Sequence, residues 1–380
     1  MSEDSASIVI ITGESSGELY GALLAREIKR LYPQVRLWGI GGSRMKQEGV
    51  SLISHITSAL GAFEVITSLR RLKITLDKTI SFIKEMRPDL VILIDYPDFN
   101  IRVAKEAKRL GIKILYYVSP QVWAWRKHRV KIIAELVDRM AVLLPFEKAI
   151  YEEAGLRCEF VGHPVMEEIE NISKDNSREA LGISEKERII ALLPGSRHNE
   201  LKRHLPLIIE SVKKIKAEFK EFGFALPLAP NLDSTKYEGR LNELKDLGVR
   251  IIDGKPLEVL SASESAVVAS GTASFQAAML GIPIVVIYRL NALSYILGRI
   301  LIDVKYITLV NLILNRPVIP ELIQLRATPE NIFMEIKRLL TDHIYRQKMI
   351  EAFKEVRAIY EGLRPSRRVA MIAGEMAGLL

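Results

Sequence analysis

Residues 265–288 carry no charge and are long enough to span a bilayer, so the chain must bury them either in lipid or in its own interior. The punctuation inside the run selects the interior. Ser270-Gly271-Thr272, Gln276 and the Gly281-Ile-Pro283 turn cut it into strand, loop, helix and strand. Ile284-Val-Val-Ile-Tyr288 has the β-branched character of a parallel strand covered on both faces. Short apolar runs recur at Ile8-Val-Ile-Ile-Thr12, Leu90-Val-Ile-Leu-Ile94 and Lys113-Ile-Leu-Tyr-Tyr-Val118, with helical patterns between them. That alternation predicts an α/β protein built of doubly wound, Rossmann-like parallel sheets. At 380 residues, 48% of them hydrophobic, the chain fits two such domains. We place the first at residues 1–165 and the second at 166–355, with 356–380 a C-terminal helix that can pack back on the first domain.

Two strand-to-helix turns in the second domain carry the chemistry. In Ala191-Leu-Leu-Pro-Gly-Ser-Arg-His-Asn-Glu200 an apolar run stops at Pro194-Gly195 and a helical pattern opens. Gly195 permits close approach of the backbone, Ser196 is placed to cap the helix, and Arg197 adds positive charge to the N–H groups of its first turn, so an anion fits there. Val267-Val-Ala-Ser-Gly-Thr-Ala-Ser-Phe-Gln276 repeats the arrangement with Ser270, Gly271 and Thr272. Two such turns at strand carboxyl ends suit a nucleotide diphosphate. Neither is followed by Gly-Lys-Ser/Thr and neither reads G-x-G-x-x-G, which points to a nucleotide sugar rather than ATP or NAD.

In the first domain, Gly13-Glu-Ser-Ser-Gly-Glu18 is a small-residue loop opening a helix, and Asp95-Tyr-Pro-Asp-Phe-Asn100 follows an uncharged strand. Asp95 and Asp98 therefore project where open sheets place their chemistry, as a general base or as helix caps. Trp123, Trp125, Arg126, Lys127 and Arg129 set indole rings beside a dense basic cluster, which suits a membrane interface, RNA stacking or a half-buried Trp pair; residues 63–73 repeat the basic and apolar mixture. The net charge of +8 favours an anionic partner without choosing one. The single cysteine, Cys158, excludes an intrachain disulfide, and the acidic first residues do not read as a signal peptide, so a cytoplasmic protein is expected. The six histidines stand at no metal-ligand spacing, and no metal or cofactor is expected. His163 precedes Pro164, where it touches a ligand or shapes the crossing between domains, and Asn311, polar in an apolar run, faces a ligand or satisfies buried backbone.

Gly13-Glu-Ser-Ser-Gly17, Ile94-Asp-Tyr-Pro-Asp-Phe-Asn100, Tyr117-Val-Ser-Pro-Gln-Val-Trp-Ala-Trp-Arg126, Leu144-Pro-Phe-Glu-Lys148, Leu192-Leu-Pro-Gly-Ser-Arg197, Ala269-Ser-Gly-Thr-Ala273 and Val310-Asn-Leu312, in this order, resemble the lipid-A-disaccharide synthases. The resemblance implies a GT-B glycosyltransferase, with two Rossmann-like domains facing each other across a cleft. It implies transfer, with inversion and without a metal, of the sugar of UDP-2,3-diacylglucosamine to 2,3-diacylglucosamine 1-phosphate. Asp98 would be the base, with Glu14 and Ser16 on the acceptor side. Gly195, Ser196, Arg197, Glu200, Ser270, Gly271, Thr272, Ala273, Gln276 and Asn311 would hold the UDP-sugar. A soluble enzyme resting on the anionic cytoplasmic face of the inner membrane follows from acylated substrates; no nucleic-acid partner is implied, and a homodimer is left open. The chain departs from the family at Glu18, usually Asp, and at Gln276, usually Glu. A UDP-N-acetylglucosamine 2-epimerase and a non-enzymatic membrane or RNA-binding protein are the rival readings.

Overall fold

The computed structural model describes residues 6–55, 65–121, 128–230, 232–290 and 305–379. They divide into two compact units, Met1–Pro164 with Gly362–Leu380, and Val165–Glu361. Trp123, Trp125, Arg126 and Lys127, and residues 63–69 of the second basic and apolar stretch, lie outside the described residues or their side chains, whereas Arg70, Arg71 and Lys73 are exposed on α3.

The first unit runs β1 (Ser7–Ile11), α1 (Ser15–Leu31), β2 (Arg36–Gly41), α2 (Ser43–Gln47), β3 (Ser51–His55), α3 (Val65–Met86), β4 (Leu90–Ile94), α4 (Pro97–Arg109), β5 (Lys113–Tyr117), α5 (His128–Leu136), β6 (Arg139–Val142), α6 (Glu147–Glu153) and β7 (Cys158–Phe160). The strands form one parallel sheet in the order β3-β2-β1-β4-β5-β6-β7, with the direction of winding reversing between β1 and β4. β1 and β4 are buried along their whole length, as their uncharged sequences require.

The second unit runs α7 (Val165–Glu168), α8 (Lys174–Ala180), β8 (Arg188–Leu193), α9 (His198–Glu218), β9 (Phe222–Leu228), α10 (Glu238–Asp246), β10 (Val249–Asp253), α11 (Pro256–Ala262), β11 (Ser265–Ala269), α12 (Thr272–Met279), β12 (Ile284–Tyr288), α13 (Leu309–Leu314), β13 (Glu321–Ile323), α14 (Pro329–Thr341) and α15 (His343–Tyr360). Its parallel sheet is ordered β10-β9-β8-β11-β12-β13, so winding reverses between β8 and β11. The uncharged run 265–288 becomes β11, α12 and β12, with both strands inside the sheet. Among the described residues no helix is long and apolar enough to cross a membrane.

The last helix, α16 (Pro365–Ala377), returns to the first unit. Val369, Ala370, Ile372, Ala373 and Met376 join the core that holds Ile8, Leu24 and Ile28, and burying side chains of the larger kind is worth about 1.5 to 3 kcal/mol each. Charged pairs fix its outer face: Arg139 with Glu375 and Arg368 with Glu159.

Candidate functional site

In each unit the two loops at the winding reversal are the ones the sequence marked, because neighbouring strands that leave a sheet in opposite directions open a crevice at their carboxyl ends. In the first unit these loops follow β1 and β4. They meet at Gly13, where a Cβ would lie 2.2 Å from Cγ of Tyr96, so only glycine lets that ring lie on the loop. Tyr96 also stacks on Phe99, with ring centroids 5.1 Å apart. Glu14 is the exposed residue before α1 and Ser16 stands in its first turn. Burial first, and the Glu14 charge second, raise the Tyr96 phenol above its ordinary value.

The loop after β4 is strained. Asp95 and Tyr96 take φ of +46° and +49°, and Val118, at the end of neighbouring β5, takes +66°. Such conformations cost a non-glycine residue about 1 to 3 kcal/mol and persist only where neighbours over-determine them. Here the Asp95 N–H donates to the Val118 carbonyl, while the Asp95 carbonyl accepts from the Tyr116 hydroxyl at 2.5 Å and from Asn100 Nδ2 at 2.7 Å. Asn100, fully buried, reaches the Ile94 carbonyl as well. The strain delivers Asp98 to the exposed first turn of α4, where its Oδ1 accepts from Arg129 Nη2 at 2.6 Å. Arg129 thereby corrects the sequence reading: its side chain is 18% exposed and turned to a carboxylate, not displayed as a cation for an anionic surface. Nearby, Glu18 is buried and takes the Arg44 N–H at the start of α2, and His163 is buried edge-on to Tyr20, its pKa pulled down to about 3 by burial.

In the second unit the loops follow β8 and β11. Gly195 has φ +114° and Gly271 φ +150°, conformations closed to side-chain-bearing residues without strain. Ser196 and Arg197 are exposed, and Ser270, Thr272 and Ala273 are half-buried around exposed Gly271. One expectation needs correction: Ser196 does not cap the helix. α9 begins at His198 with Arg197 as the flanking residue, and Glu200 reaches back so that its Oε2 accepts from the N–H groups of Ser196, at 2.9 Å, and Arg197, at 3.2 Å. A carboxylate thus already holds two of the donors that an anion at this turn would use.

Gln276, in the middle of α12, donates from Nε2 to Glu168 Oε2 on α7 at 2.9 Å. Asn311 is a third correction. It is 1% exposed, its Nδ2 donates to the Ile319 carbonyl and to Glu321, and its Oδ1 accepts from Val318 and Ile319 N–H groups. All four positions of its amide are spent on holding residues 318–321 in place, which leaves none for a nucleotide. Glu321 takes the Ile307 and Thr308 N–H groups in the same cluster.

His204 was missed. It lies on the buried stripe of α9 with Leu201, Leu205, Ile208 and Val212, and its two ring nitrogens join the turn after β8 to the end of β12. The signal was present, since a histidine in an apolar helix stripe needs two partners for its ring. Among the described residues no group of three His, Cys, Asp or Glu side chains is arranged to hold a metal ion.

Comparison with known proteins bears on this geometry. A family model described as lipid-A-disaccharide synthetase matches residues 8–371. The lipid-A-disaccharide synthase of Nitrosococcus oceani is 43% identical over 386 residues, covering 99% of each chain, and that of Syntrophus aciditrophicus is 41% identical over 353 residues, covering 92% of each. Among solved structures, the UDP-GlcNAc 2-epimerase of Neisseria meningitidis bound to UDP-GlcNAc aligns with a TM-score of 0.67 at 13% identity, over 97% of this chain and 100% of that one. A transferase from Siraitia grosvenorii in complex with UDP aligns with 0.60 at 12% identity, over 98% and 100%. Likeness at that identity concerns the fold, which is GT-B.

Proposed function

The chain belongs to the lipid-A-disaccharide synthetase family and is a glycosyltransferase of lipid A synthesis, and from that premise we propose the reaction and the roles of its residues. UDP-2,3-diacylglucosamine donates its sugar to 2,3-diacylglucosamine 1-phosphate. The products are a β-1,6-linked disaccharide 1-phosphate and UDP, with inversion at the anomeric carbon.

The observation that carries the donor half is the pair of turns after β8 and β11, adjacent strands at the winding reversal, each opened by a glycine at positive φ. The leaving diphosphate needs a fixed field, and backbone N–H groups at two helix starts with Arg197 supply one. Glu200 keeps the first turn in shape and gives way as phosphate oxygens take its donors. Gln276 with Glu168 meets the nucleoside.

The acceptor half rests on Asp98. An inverting displacement needs a base for the acceptor hydroxyl, and a carboxylate in the first turn of α4, just after a strained loop and oriented by Arg129, meets that need. The acceptor oxygen attacks the anomeric carbon, its proton passes to Asp98, and the bond to UDP breaks. Glu14 and Ser16 border the same loop pair and bind the acceptor. The step needs no metal in this reading.

The acylated substrates place the working enzyme at an anionic membrane surface, through the Trp and basic residues 123–127; salt-reversible binding to anionic vesicles, lost when both tryptophans become Ser, checks this. The reaction itself is tested by thin-layer analysis of the two lipid substrates with this protein. A new disaccharide phosphate is expected. Conversion of a UDP-sugar alone, with no acceptor, would instead reveal an epimerase.

A further inference from the structure

His204 is fully buried in α9, yet both its ring nitrogens are engaged. Nδ1 lies 2.7 Å from the carbonyl oxygen of Pro194, and Nε2 lies 3.0 Å from the backbone nitrogen of Arg289. The partners fix the chemistry of the ring. A carbonyl only accepts and a backbone N–H only donates, so Nδ1 carries the proton and Nε2 the lone pair, in a neutral imidazole. We propose that His204 is a positioning residue for the donor: its Nδ1–H pins the Pro194-Gly195 turn to α9, and the Arg289 amide selects the tautomer that can do so.

Pro194 has no N–H of its own, and its carbonyl is the last polar group before Gly195 swings to φ +114°. On the far side of the glycine, Glu200 holds the N–H groups of Ser196 and Arg197. The turn is therefore tied to the same helix from both flanks, by His204 before the glycine and by Glu200 after it. When phosphate displaces Glu200, the His204 tie still holds the strand side of the glycine. A displacement of about 1 Å at a positioned group is enough to cost about a hundredfold in rate. Burial keeps the ring below its ordinary pKa against the upward pull of the Pro194 carbonyl and of Glu200, with Arg203 and Arg289 acting in the same direction as burial.

This inference rests on the proposed role of the turn in binding the donor diphosphate. The test uses UDP as the probe and three variants of the full chain. An asparagine amide reaches the place of Nδ1 and brings its own N–H; a glutamine amide reaches the place of Nε2. His204→Asn is expected to bind UDP within about threefold of the parent, while His204→Gln and His204→Leu bind about tenfold or more weakly, with donor KM moving more than kcat. Equal losses in Asn and Gln that follow their thermal stabilities, or a folded Gln or Leu variant with parental affinity, overturn the proposal. Should the variants not fold, ring nitrogen shifts of His204 in the unaltered protein decide: movement on UDP saturation supports the role, and unmoved shifts reject it. Failure of the unaltered protein to bind UDP overturns the donor reading instead.

Discussion

Arg129 Nη2 donates to Asp98 Oδ1 at 2.6 Å, joining the start of α5 to the first turn of α4. The guanidinium fixes the direction of the carboxylate on a side chain that is otherwise 65% exposed. Asp98→Asn is expected to lower kcat by about a hundredfold or more, with UDP affinity near normal. Arg129→Ala should lower it less, since the base stays but loses its orientation. Full activity in Asp98→Asn, with loss in Asp95→Asn, would reassign the base.

The Asp95 carbonyl accepts from both Tyr116 and Asn100, and these bonds hold the left-handed pair Asp95 and Tyr96. Asn100→Leu should destabilise the fold by about 1 to 3 kcal/mol and reduce turnover together, because the strained loop relaxes and carries Asp98 with it. Urea denaturation and kcat on one preparation check this. Lost stability with unchanged kcat would uncouple the loop from the chemistry.

Arg197 is exposed beside the turn after β8, with its Nη1 3.7 Å from Glu200. Arg197→Ala is expected to weaken UDP by about 1.5 to 3 kcal/mol by calorimetry, and uridine far less, since only the diphosphate meets the charge. Equal loss for both ligands would place Arg197 elsewhere.

Gln276 donates to Glu168, so Gln276→Glu brings a second carboxylate within hydrogen-bonding distance of the first. About 1 to 3 kcal/mol of stability at neutral pH should be lost, and regained by adding Glu168→Gln. Thermal melts of the two single variants and the double variant measure the coupling; additive effects would mean that the pair does not interact. Gln276→Leu should raise donor KM.

His163 has a folded pKa of about 3 against an unfolded value of about 6.5. Between those values the unfolded chain binds the extra proton, so stability is fully present above the unfolded value and falls as pH drops toward 3. His163→Phe removes that contribution. The urea midpoints of the two proteins should therefore differ by different amounts at pH 7 and pH 5; a constant difference would show that the ring does not titrate on unfolding.

The sheets were legible because an uncharged strand has no place except inside a parallel sheet, as Leu90–Ile94 and Ile284–Tyr288 show. Both glycine turns of the second unit were legible for a related reason, since Gly195 and Gly271 sit where uncharged strands give way to polar helix starts. What could not be read was pairing at a distance. Nothing local to Gln276 names Glu168, and nothing in Tyr96 or Val118 announces a left-handed backbone, because bulky and β-branched residues adopt it only when partners such as Asn100 and Tyr116, around Asp95, impose it. Ser196 had the right chemistry for a cap and lost to Glu200, whose longer arm reaches both N–H groups at once. Asn311 was legible as one of two roles, and the choice between them depended on where residues 318–321 come to lie.

Because α16 completes the core beside β1 and α1, the first unit cannot finish folding when its own sheet has been translated. The whole of Val165–Glu361 must leave the ribosome before Val369 and Ile372 can cover Ile8 and Leu24. Domains usually mature in the order of their synthesis, and here that order is inverted: the second unit is contiguous and can close first, while the first waits with an apolar face open. For the growing chain, that interval is the period of greatest exposure to proteases and to aggregation.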